Sequence, residues 1–563
     1  MIIKSRKPVE PVQVYIENLD TSFEVEGGID LLEIAEQLRS QLGFEPILAR
    51  VNNKNEGLYY QVYRPKNIEF LRRDSAPGLR VYMHSLCMML YHAVTKTFSG
   101  ATMRVEHTIS NGLFIRITGV DPSPDNARVL ESAMRNLVKR DIPFVYHVVP
   151  KDKAIERFEE EGLGSKVLLL KTIDSIQQGY YTLDDVADNF YGCLAPRTGM
   201  LNVFAFTAYN EDGFLLRGFD PKAPDQVPPL VNQPLMEKAF KDHVKFNRIV
   251  GVSNVGELNN VILHGNPADL INVAETLHTN RLSAISNEIA ERYKAGGARV
   301  VLIAGPSSSG KTTTTKRLAT QLMTHLLKPA MISLDNYFVD REHTPRDADG
   351  DYDFESLYAL DLELLNKDLN RILAGEEVDL PTYSFETGQR FYRGDKIRLE
   401  EGSILLMEGI HGLNPELTAQ IPEAAKFRIY VSALTTLSID NHNWIPTTDN
   451  RLLRRIIRDY KYRGTSAQET IRRWPSVRRG EDKWIYPFTE NADAMFNSSL
   501  LFELAVIKDY ADEILSKVPS DCPEYAQAHR LRRFLHYFRQ LQPDVVPPTS
   551  LLREFMGGSS FKY

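Results

Sequence analysis

The sequence predicts a multidomain chain in which small α+β modules precede a C-terminal α/β domain with a parallel sheet and a helical lid. Its 563 residues exceed the size at which a single hydrophobic core stops growing, about 250 to 300 residues. The β-branched run Val300 to Ile303 leads directly into a glycine-rich phosphate-binding motif and then into a helical pattern. Before it, the stretch from Gly213 to Gly297 is first proline-rich and then helical, which indicates a domain boundary.

The composition is typical of an ordinary globular protein. It is 43% hydrophobic and 25% charged, and its net charge of −7 lacks the basic excess of a general nucleic-acid binder, so we do not expect nucleic acid as a partner. The start, Met1 to Pro8, has no apolar signal segment, and no apolar run of about 18 residues occurs. These features predict a cytoplasmic protein without a membrane partner. Cys87, Cys193 and Cys522 are too scattered for a disulfide framework or a C-x-x-C zinc site.

The N-terminal stretch predicts a small module of strands and one helix. Alternating apolar residues from Val12 to Val25 indicate a hairpin, which Gly27-Gly28 ends. Leu31 to Leu42 has helical spacing, and Ile47 to Val51 and Ile68 to Leu71 are short strands. This order resembles the β-grasp TGS domain that precedes the catalytic region of threonyl-tRNA synthetases. An unrelated small α+β domain is the alternative.

Two later motifs resemble the second additional domain of threonyl- and alanyl-tRNA synthetases, whose editing site combines H-x-x-x-H with C-x-x-x-H. His84 and Cys193 match, but Met88 and Arg197 stand where that family has histidines. Neither replaces a neutral imidazole, and Arg197 would bring positive charge to the metal position. The resemblance therefore implies a domain that kept its fold and lost hydrolytic editing. A chance metal cluster of His84, His92 and Cys193 is the alternative.

The phosphate-binding motif fits G-x-x-x-x-G-K-T. Gly305 and Gly310 allow tight turns, so that backbone N–H groups and the N-terminus of the next helix, predicted from Thr313 to Leu327, face a phosphate. Lys311 adds a mobile positive charge, and Thr312 adds a hydroxyl for Mg²⁺. The predicted ATP-binding residues are Gly305, Pro306, Ser307, Ser308, Ser309, Gly310, Lys311, Thr312 and Thr313.

A second predicted strand, Ala330 to Leu334, ends in Asp335. Because ligands bind beyond the carboxyl ends of parallel strands, Asp335 should project toward the γ-phosphate. A carboxylate there can accept the proton of an attacking hydroxyl and also approach Mg²⁺. A helix-capping or turn aspartate is the alternative.

These motifs, in this order, resemble the uridine kinase and phosphoribulokinase family over about Ala298 to Lys517. The further motifs are Asp351-Tyr352-Asp353-Phe354-Glu355, Tyr383-Ser384-Phe385 and Met407-Glu408-Gly409-Ile410-His411. The resemblance implies Asp335 as general base and a place for Asp353 and Tyr383 near the acceptor. It also implies Glu408 as a carboxylate linked to Mg²⁺, together with Thr312.

Asp449 to Gly464 is similar to the lid of that family. At helical spacing, Arg451, Arg455 and Arg458 share one face, and the apolar residues between them can pack behind it. Guanidinium groups match phosphate oxygens, so this face suits a mobile phosphate clamp. A solvated basic helix is the alternative. The predicted catalytic residues are Lys311, Asp335, Arg455 and Arg458, and the predicted acceptor-binding residues are Asp353, Tyr383, Arg455, Arg458 and Arg463.

The chain departs from the family pattern at positions that bear on the acceptor. Gly388 stands where uridine kinases have a histidine that contacts the base. Thr465 and Arg473 replace an arginine and a glutamine of the family's lid. Since buried polar partners set discrimination, these changes should alter nucleobase selection. We expect ATP- and Mg²⁺-dependent phosphorylation of a small-molecule hydroxyl, in first place the 5′-hydroxyl of a ribonucleoside. A sugar phosphate or other small alcohol as acceptor, and an RNA- or tRNA-binding protein with a nucleotide-sensing domain, are the alternatives.

The expected domains are TGS-like at 1–75, degenerate editing-like at 76–220, a helical connector at 221–297 and kinase-like at 298–563. The final stretch Ser550 to Gly558 is apolar enough to dock on the body of the protein. The sequence leaves a homo-oligomer open.

Overall fold

The computed structural model describes residues 10–347 and 350–562. The N-terminal region forms one sheet in the order β2-β1-β5-β3-β4, in which β1 and β5 run parallel. Its elements are β1 Val12–Ile16, β2 Thr21–Val25, α1 Leu31–Gln37, α2 Arg39–Leu42, β3 Leu48–Val51, β4 Lys54–Glu56 and β5 Lys66–Leu71. The predicted hairpin and strands are present, and the predicted single helix is interrupted at Leu38. The predicted features of Met1 to Pro8 lie outside the described residues.

The second region packs two small antiparallel sheets, β11-β12-β7-β6 and β10-β9-β8, around the long helix α3. Helix α3 is buried along most of its length and ends one residue before Phe98, as predicted. The elements are α3 Ala76–Thr97, β6 Thr102–Ile109, β7 Gly112–Thr118, α4 Pro124–Arg140, β8 Val145–Pro150, α5 Lys151–Glu160, α6 Gly164–Thr172, β9 Gln177–Leu183, β10 Val186–Asp188, β11 Ala205–Asn210 and β12 Gly213–Arg217.

The connector consists of three helices, α7 Pro234–Val250, α8 Val255–His264 and α9 Pro267–Lys294. The sequence predicted only α9. The pattern did not indicate α7, because Pro234 continues a proline-rich stretch; in the structure it lies in the first turn of the helix, where its missing N–H is not needed. Helix α8 was also missed, although Asn254 and Glu257 form a capping box at its start.

The C-terminal region is built on a fully parallel sheet in the order β14-β17-β13-β18-β19. Its central strand β13 is buried at every position because helices cover both faces. The strands are β13 Val300–Ala304, β14 Lys328–Ser333, β15 Val378–Ser384, β16 Gln389–Ile397, β17 Ser403–Gly409, β18 Lys426–Ser432 and β19 Ala494–Asn497, of which β15 and β16 form a separate antiparallel arm. These sheets confirm the predicted multidomain α/β and α+β fold.

The helices of this region are α10 Lys311–Thr324, α11 Leu362–Leu373, α12 Thr447–Arg463, α13 Ala467–Trp484, α14 Glu503–Ser516, α15 Tyr525–Leu535 and α16 Arg553–Met556. Helix α10 ends earlier than predicted, because Leu326 takes a left-handed conformation (φ 64°) and is 89% exposed. The C-terminal segment docks as predicted, since Leu551, Leu552 and Phe555 are fully buried in the core. Within the described ranges, no helix is both long and apolar enough to cross a membrane.

Candidate active site

The loop between β13 and α10 is shaped by two glycines. A side chain at position 305 would place its Cβ 2.0 Å from the backbone oxygen of Val431, which leaves room only for glycine. Gly310 has φ 84°, a left-handed conformation that turns the chain into α10. The loop is therefore wrapped tightly around the end of β13, with the N-terminus of α10 open to one side.

The interior of this loop holds polar groups suited to a phosphate. The hydroxyls of Ser308 and Ser309 are buried and have no hydrogen-bond partner among the described residues. In the described part of the chain, the Lys311 side chain hydrogen-bonds only to its own loop, donating from Nζ to the backbone oxygen of Pro306 at 3.3 Å. Unpaired buried donors next to a positive charge fit the triphosphate of a nucleotide, which would supply the missing acceptors.

A set of oxygen atoms converges beside the loop. The hydroxyls of Thr312 and Ser333 donate to the same Glu408 oxygen, at 3.4 Å and 3.2 Å. Removal from water raises the pKa of Glu408, with Asp335 adding to the shift and Lys311 opposing it. Next to substrate phosphates, Mg²⁺ usually takes only one or two ligands from the protein, and these are oxygen atoms such as those of hydroxyls and carboxylates. These residues therefore fit the predicted ion. Ser333, which ends β14 two residues before Asp335, was not singled out from the sequence.

Asp335 lies in a single turn that follows β14, at the carboxyl edge of the sheet. Its backbone N–H is 3.4 Å from the Ser333 hydroxyl. Its charge contributes to raising the pKa of Glu408 and of Glu355, so these three acids share one site. The structure thus places the predicted base next to the predicted Mg²⁺ ligands.

Glu355 is an acid of the site that the sequence did not single out, although it belongs to the motif that contains Asp353. Burial raises the pKa of Glu355 to about 7, and Arg455 and Lys311 oppose that shift. Its Oε2 atom is buried without a partner among the described residues. The side chain therefore faces the same space as the lid and the phosphate-binding loop.

Three of the predicted lid arginines gather around one carboxylate. Arg455, Arg458 and Arg463 contact Asp459 at 3.2, 2.8 and 3.6 Å. Although burial raises the pKa of Asp459, the three guanidinium groups hold it below its ordinary value. Arg455 also donates to the Ser307 hydroxyl at 2.9 Å, which joins the lid to the phosphate-binding loop.

Arg451 does not belong to the clamp that the helical spacing predicted. It is fully buried and forms an ion pair with Glu481 of α13, which is equally buried. Its Nε donates to the backbone oxygen of Ser307 at 3.0 Å, and Glu481 accepts from the Ser307 N–H at 3.3 Å. The ion pair of Arg451 and Glu481 therefore holds the backbone of the phosphate-binding loop in place at Ser307. Helical periodicity assigned Arg451 to the correct face but could not show that α13 covers it.

The predicted acceptor side has an aromatic lining. Tyr383 lies 5.4 Å from Phe338 and 5.1 Å from Phe385 between ring centroids, and Phe354 adjoins Phe338 at 6.1 Å. The Tyr383 hydroxyl is buried without a hydrogen-bond partner in the described part of the chain. Burial raises the pKa of Asp353, whose carboxylate accepts from the Glu355 N–H at 3.2 Å. Aromatic faces and a carboxylate together can contact a flat ring and a sugar hydroxyl.

An arginine fills the place of the missing histidine. Gly388 has φ 72°, and a Cβ there would lie 2.7 Å from Nε of Arg341. Arg341 donates to the backbone oxygen of Phe385, and no carboxylate among residues 10–347 and 350–562 pairs with it. The acceptor side is therefore more cationic than the sequence indicated.

The editing-like region lacks the predicted alternative metal cluster. His84 packs against Phe190 and Trp444, and burial lowers its pKa to about 3. No group of three or more His, Cys, Asp or Glu in the described residues is arranged to hold a metal ion. Arg197 does not bring its positive charge to the expected metal position, because its guanidinium pairs with Asp141 and with Glu45 of the N-terminal module. The positively charged residues near His84 are instead Arg80, Arg530 and Lys166.

Comparisons with known proteins find similarity in two different parts of the chain. Residues 300–501 match the model of the phosphoribulokinase / uridine kinase family. The N-terminal region is similar to threonine–tRNA ligases; the ligase of Azoarcus sp. is 30% identical over 181 residues, which are 32% of this chain and 28% of that protein. The chain thus spans less than a third of the length of that relative.

Two solved structures are also similar to parts of the chain. One is described as a possible uridine kinase from Bacillus stearothermophilus, with 20% identity, a TM-score of 0.25 and coverage of 36% of this chain and 89% of the other. The other is D-glycerate 3-kinase from Cryptococcus neoformans, with 14% identity and a TM-score of 0.20. The match covers 50% of this chain and 90% of the kinase. The match to the family model by itself indicates a phosphoribulokinase / uridine kinase family domain in the C-terminal region.

Proposed function

We propose that this protein is an ATP-dependent kinase that transfers the γ-phosphoryl group to a hydroxyl of a small molecule. The observation that carries the proposal is the convergence of Lys311, Thr312, Glu408 and Asp335 at the carboxyl edge of one parallel sheet. Phosphoryl transfer is catalysed mainly by positioning and by charge stabilisation, and this edge supplies both. The family match over residues 300–501 supports the same class of reaction.

Each residue has a role that its position suits. The loop N–H groups and Lys311 hold the phosphates, while Asp335 accepts the proton of the acceptor hydroxyl as the new O–P bond forms and the bond to the ADP leaving group breaks. Bound Mg²⁺, held by Thr312 and Glu408, would offset phosphate charge. Arg455 and Arg458 approach from the lid and neutralise the transferring group.

A ribonucleoside is the first candidate acceptor. The rings of Phe338 and Phe385 lie beside Tyr383, with Phe354 next to Phe338, and they offer faces for a nucleobase, since offset stacking is favourable. Asp353 can accept hydrogen bonds from ribose hydroxyls. This combination supports phosphorylation of the 5′-hydroxyl.

A phosphorylated sugar is the second candidate, and Arg341 is the observation that favours it. Its guanidinium stands beside Gly388 without a carboxylate partner in the described residues. A guanidinium can bind an acceptor phosphate through two parallel hydrogen bonds, which a neutral nucleoside would not use.

The test is a coupled ADP-release assay with uridine, cytidine, adenosine, inosine and ribulose 5-phosphate, run on the wild type and Lys311→Ala. An acceptor that accelerates ADP release in the wild type alone supports the proposal. No acceleration by any hydroxyl acceptor, with Lys311→Ala equal to the wild type, contradicts it.

The two candidates are separated by Arg341→Met. It should raise KM for a phosphorylated acceptor by about tenfold or more, since it removes a charge-assisted phosphate contact. It should leave KM for a neutral nucleoside nearly unchanged. Arg393→Met is the matched control, because Arg393 is exposed on β16 and its guanidinium lies over the ring of Phe391, away from Arg341.

A further inference from the structure

The C-terminal tail, residues 541–562, places an acidic side chain on the phosphate-binding motif. Glu554 Oε2 accepts hydrogen bonds from the backbone N–H of Thr313 at 3.2 Å and from its hydroxyl at 2.5 Å. Thr313 is fully buried and is the third residue of α10. A carboxylate therefore occupies donors at the N-terminus of this helix that point toward an anion.

The same donors are among those predicted to bind the nucleotide. A phosphate oxygen and the Glu554 carboxylate carry the same charge and accept the same kind of hydrogen bond, so they cannot occupy this position together. The charge of Glu554 also reaches the neighbouring site, since it contributes to raising the pKa of Glu408.

The tail is held in this position by packing. Leu551 lies against the loop, so that a Cβ at Gly310 would be 2.7 Å from its side chain. Phe555 is fully buried and lies over the guanidinium of Arg454 at 5.2 Å. Lys461 of the lid helix donates to the backbone oxygen of Met556. Because the flanking residues are fixed on the loop and on α12, the carboxylate is directed at Thr313.

We propose that Glu554 is an intramolecular competitor of the nucleotide, and that phosphate binding at Thr313 requires this carboxylate to leave. The proposal rests on the proposed function in one respect, namely that the ligand of the loop is a nucleoside di- or triphosphate. Part of the binding free energy is then spent on displacing the tail carboxylate, which weakens the apparent affinity. Because Lys461 of α12 donates to the backbone oxygen of Met556, release of the tail also removes one contact of the helix that carries the lid arginines.

The experiment measures Mg·ADP binding to the full chain by isothermal titration calorimetry. Glu554→Gln keeps the size of the side chain and removes its charge, so the apparent Kd should fall at least about fivefold, as the competing state is depopulated. Glu554→Ala should lower Kd in the same direction. Glu513→Gln, on the exposed surface of α14, is the matched control and should bind like the wild type.

Hydrogen exchange gives a second measurement that does not depend on the Glu554 variants. Mg·ADP should increase deuterium uptake in the tail peptides around Glu554 in the wild type, and should not do so in Lys311→Ala. Equal or weaker ADP binding by both Glu554 variants, or unchanged or reduced uptake in the tail, would overturn the proposal. Failure of the proposed function is a different result, because then Mg·ADP does not bind to the wild type at all.

Discussion

Breaking the buried ion pair behind the phosphate-binding loop should destabilise the C-terminal region strongly. Arg451 and Glu481 are both fully buried, and each also contacts the backbone of Ser307. Removing one partner of such a pair costs about 3–5 kcal/mol, because the other charge stays buried. In Arg451→Met, Glu481 keeps Arg478 at 2.7 Å and the Tyr486 hydroxyl at 3.1 Å. We therefore expect about 3 kcal/mol, the lower end of that range.

The measurement is urea unfolding of the full chain, followed through the transition that Mg·ADP shifts, since that transition reports on the nucleotide-binding region. Arg473→Met is the matched control on α13. Arg473 pairs with Glu469 at 2.7 Å, but its side chain is 63% exposed, so its loss should cost less than about 0.5 kcal/mol. If Arg451→Met lowered the free energy of unfolding by less than about 1 kcal/mol, the reasoning would be refuted. The buried charge of Glu481 would then have lost its main partner at almost no energetic cost.

Two further substitutions test the chemistry and the acid sensitivity. Asp335→Asn should lower kcat by about 10²–10⁴-fold and leave Mg·ADP affinity nearly unchanged, since only proton transfer is removed. A kcat within threefold of the wild type would exclude Asp335 as the base, because it corresponds to a change of only about 0.65 kcal/mol in the activation free energy. Burial lowers the pKa of His107 to about 3, whereas an unfolded histidine titrates near 6.5. Stability is therefore lost below pH 6.5, by about 2 kcal/mol at pH 5 for one such group. His107→Phe, which can still stack on Phe240, should reduce the difference between urea midpoints at pH 7 and pH 5. An unchanged difference would contradict the assignment.

The part of the site that the sequence could predict is local. Thr312 and Asp335 each follow a strand within one motif, and Glu408 ends a third strand of the same parallel sheet. Because parallel strands bring their carboxyl ends to one edge, recognising the strands was enough to bring these residues together.

The rest of the site depends on contacts between distant parts of the chain. Glu554 is separated from Thr313 by 241 residues, and Glu481 from Ser307 by 174. Neither glutamate belongs to a motif, and each lies on a helix whose own periodicity carries no information about the loop that it contacts. Arg341 was missed for a similar reason, since its role follows from the absence of a side chain at Gly388.

The editing-like region is joined to the C-terminal region by a buried charged cluster. Lys166 is buried between Asp188 at 3.0 Å and Asp440 at 2.8 Å, and His442 contacts Asp188 at 2.7 Å. Asp440 and His442 belong to the segment that leads into the lid helix α12. Although burial alone would lower the pKa of Lys166, the two carboxylates raise it. The lysine therefore stays charged at neutral pH and holds both regions to one another.

This cluster gives the last prediction. Lys166→Met leaves two carboxylates buried side by side, so it should cost about 3–5 kcal/mol. Adding Asp440→Asn removes one of the two carboxylate charges that lost Lys166, and the double variant should be more stable than Lys166→Met alone by about 1 kcal/mol or more. Because its folded-state pKa is raised, Lys166 contributes its full stabilisation at pH 7, well below the unfolded lysine value, so the variants are compared at that pH. Urea unfolding of the wild type, the two single variants and the double variant measures the coupling. Strictly additive costs would mean that Lys166 and Asp440 do not act together, and that other contacts, such as the one between His442 and Asp188, hold the editing-like region to the lid segment.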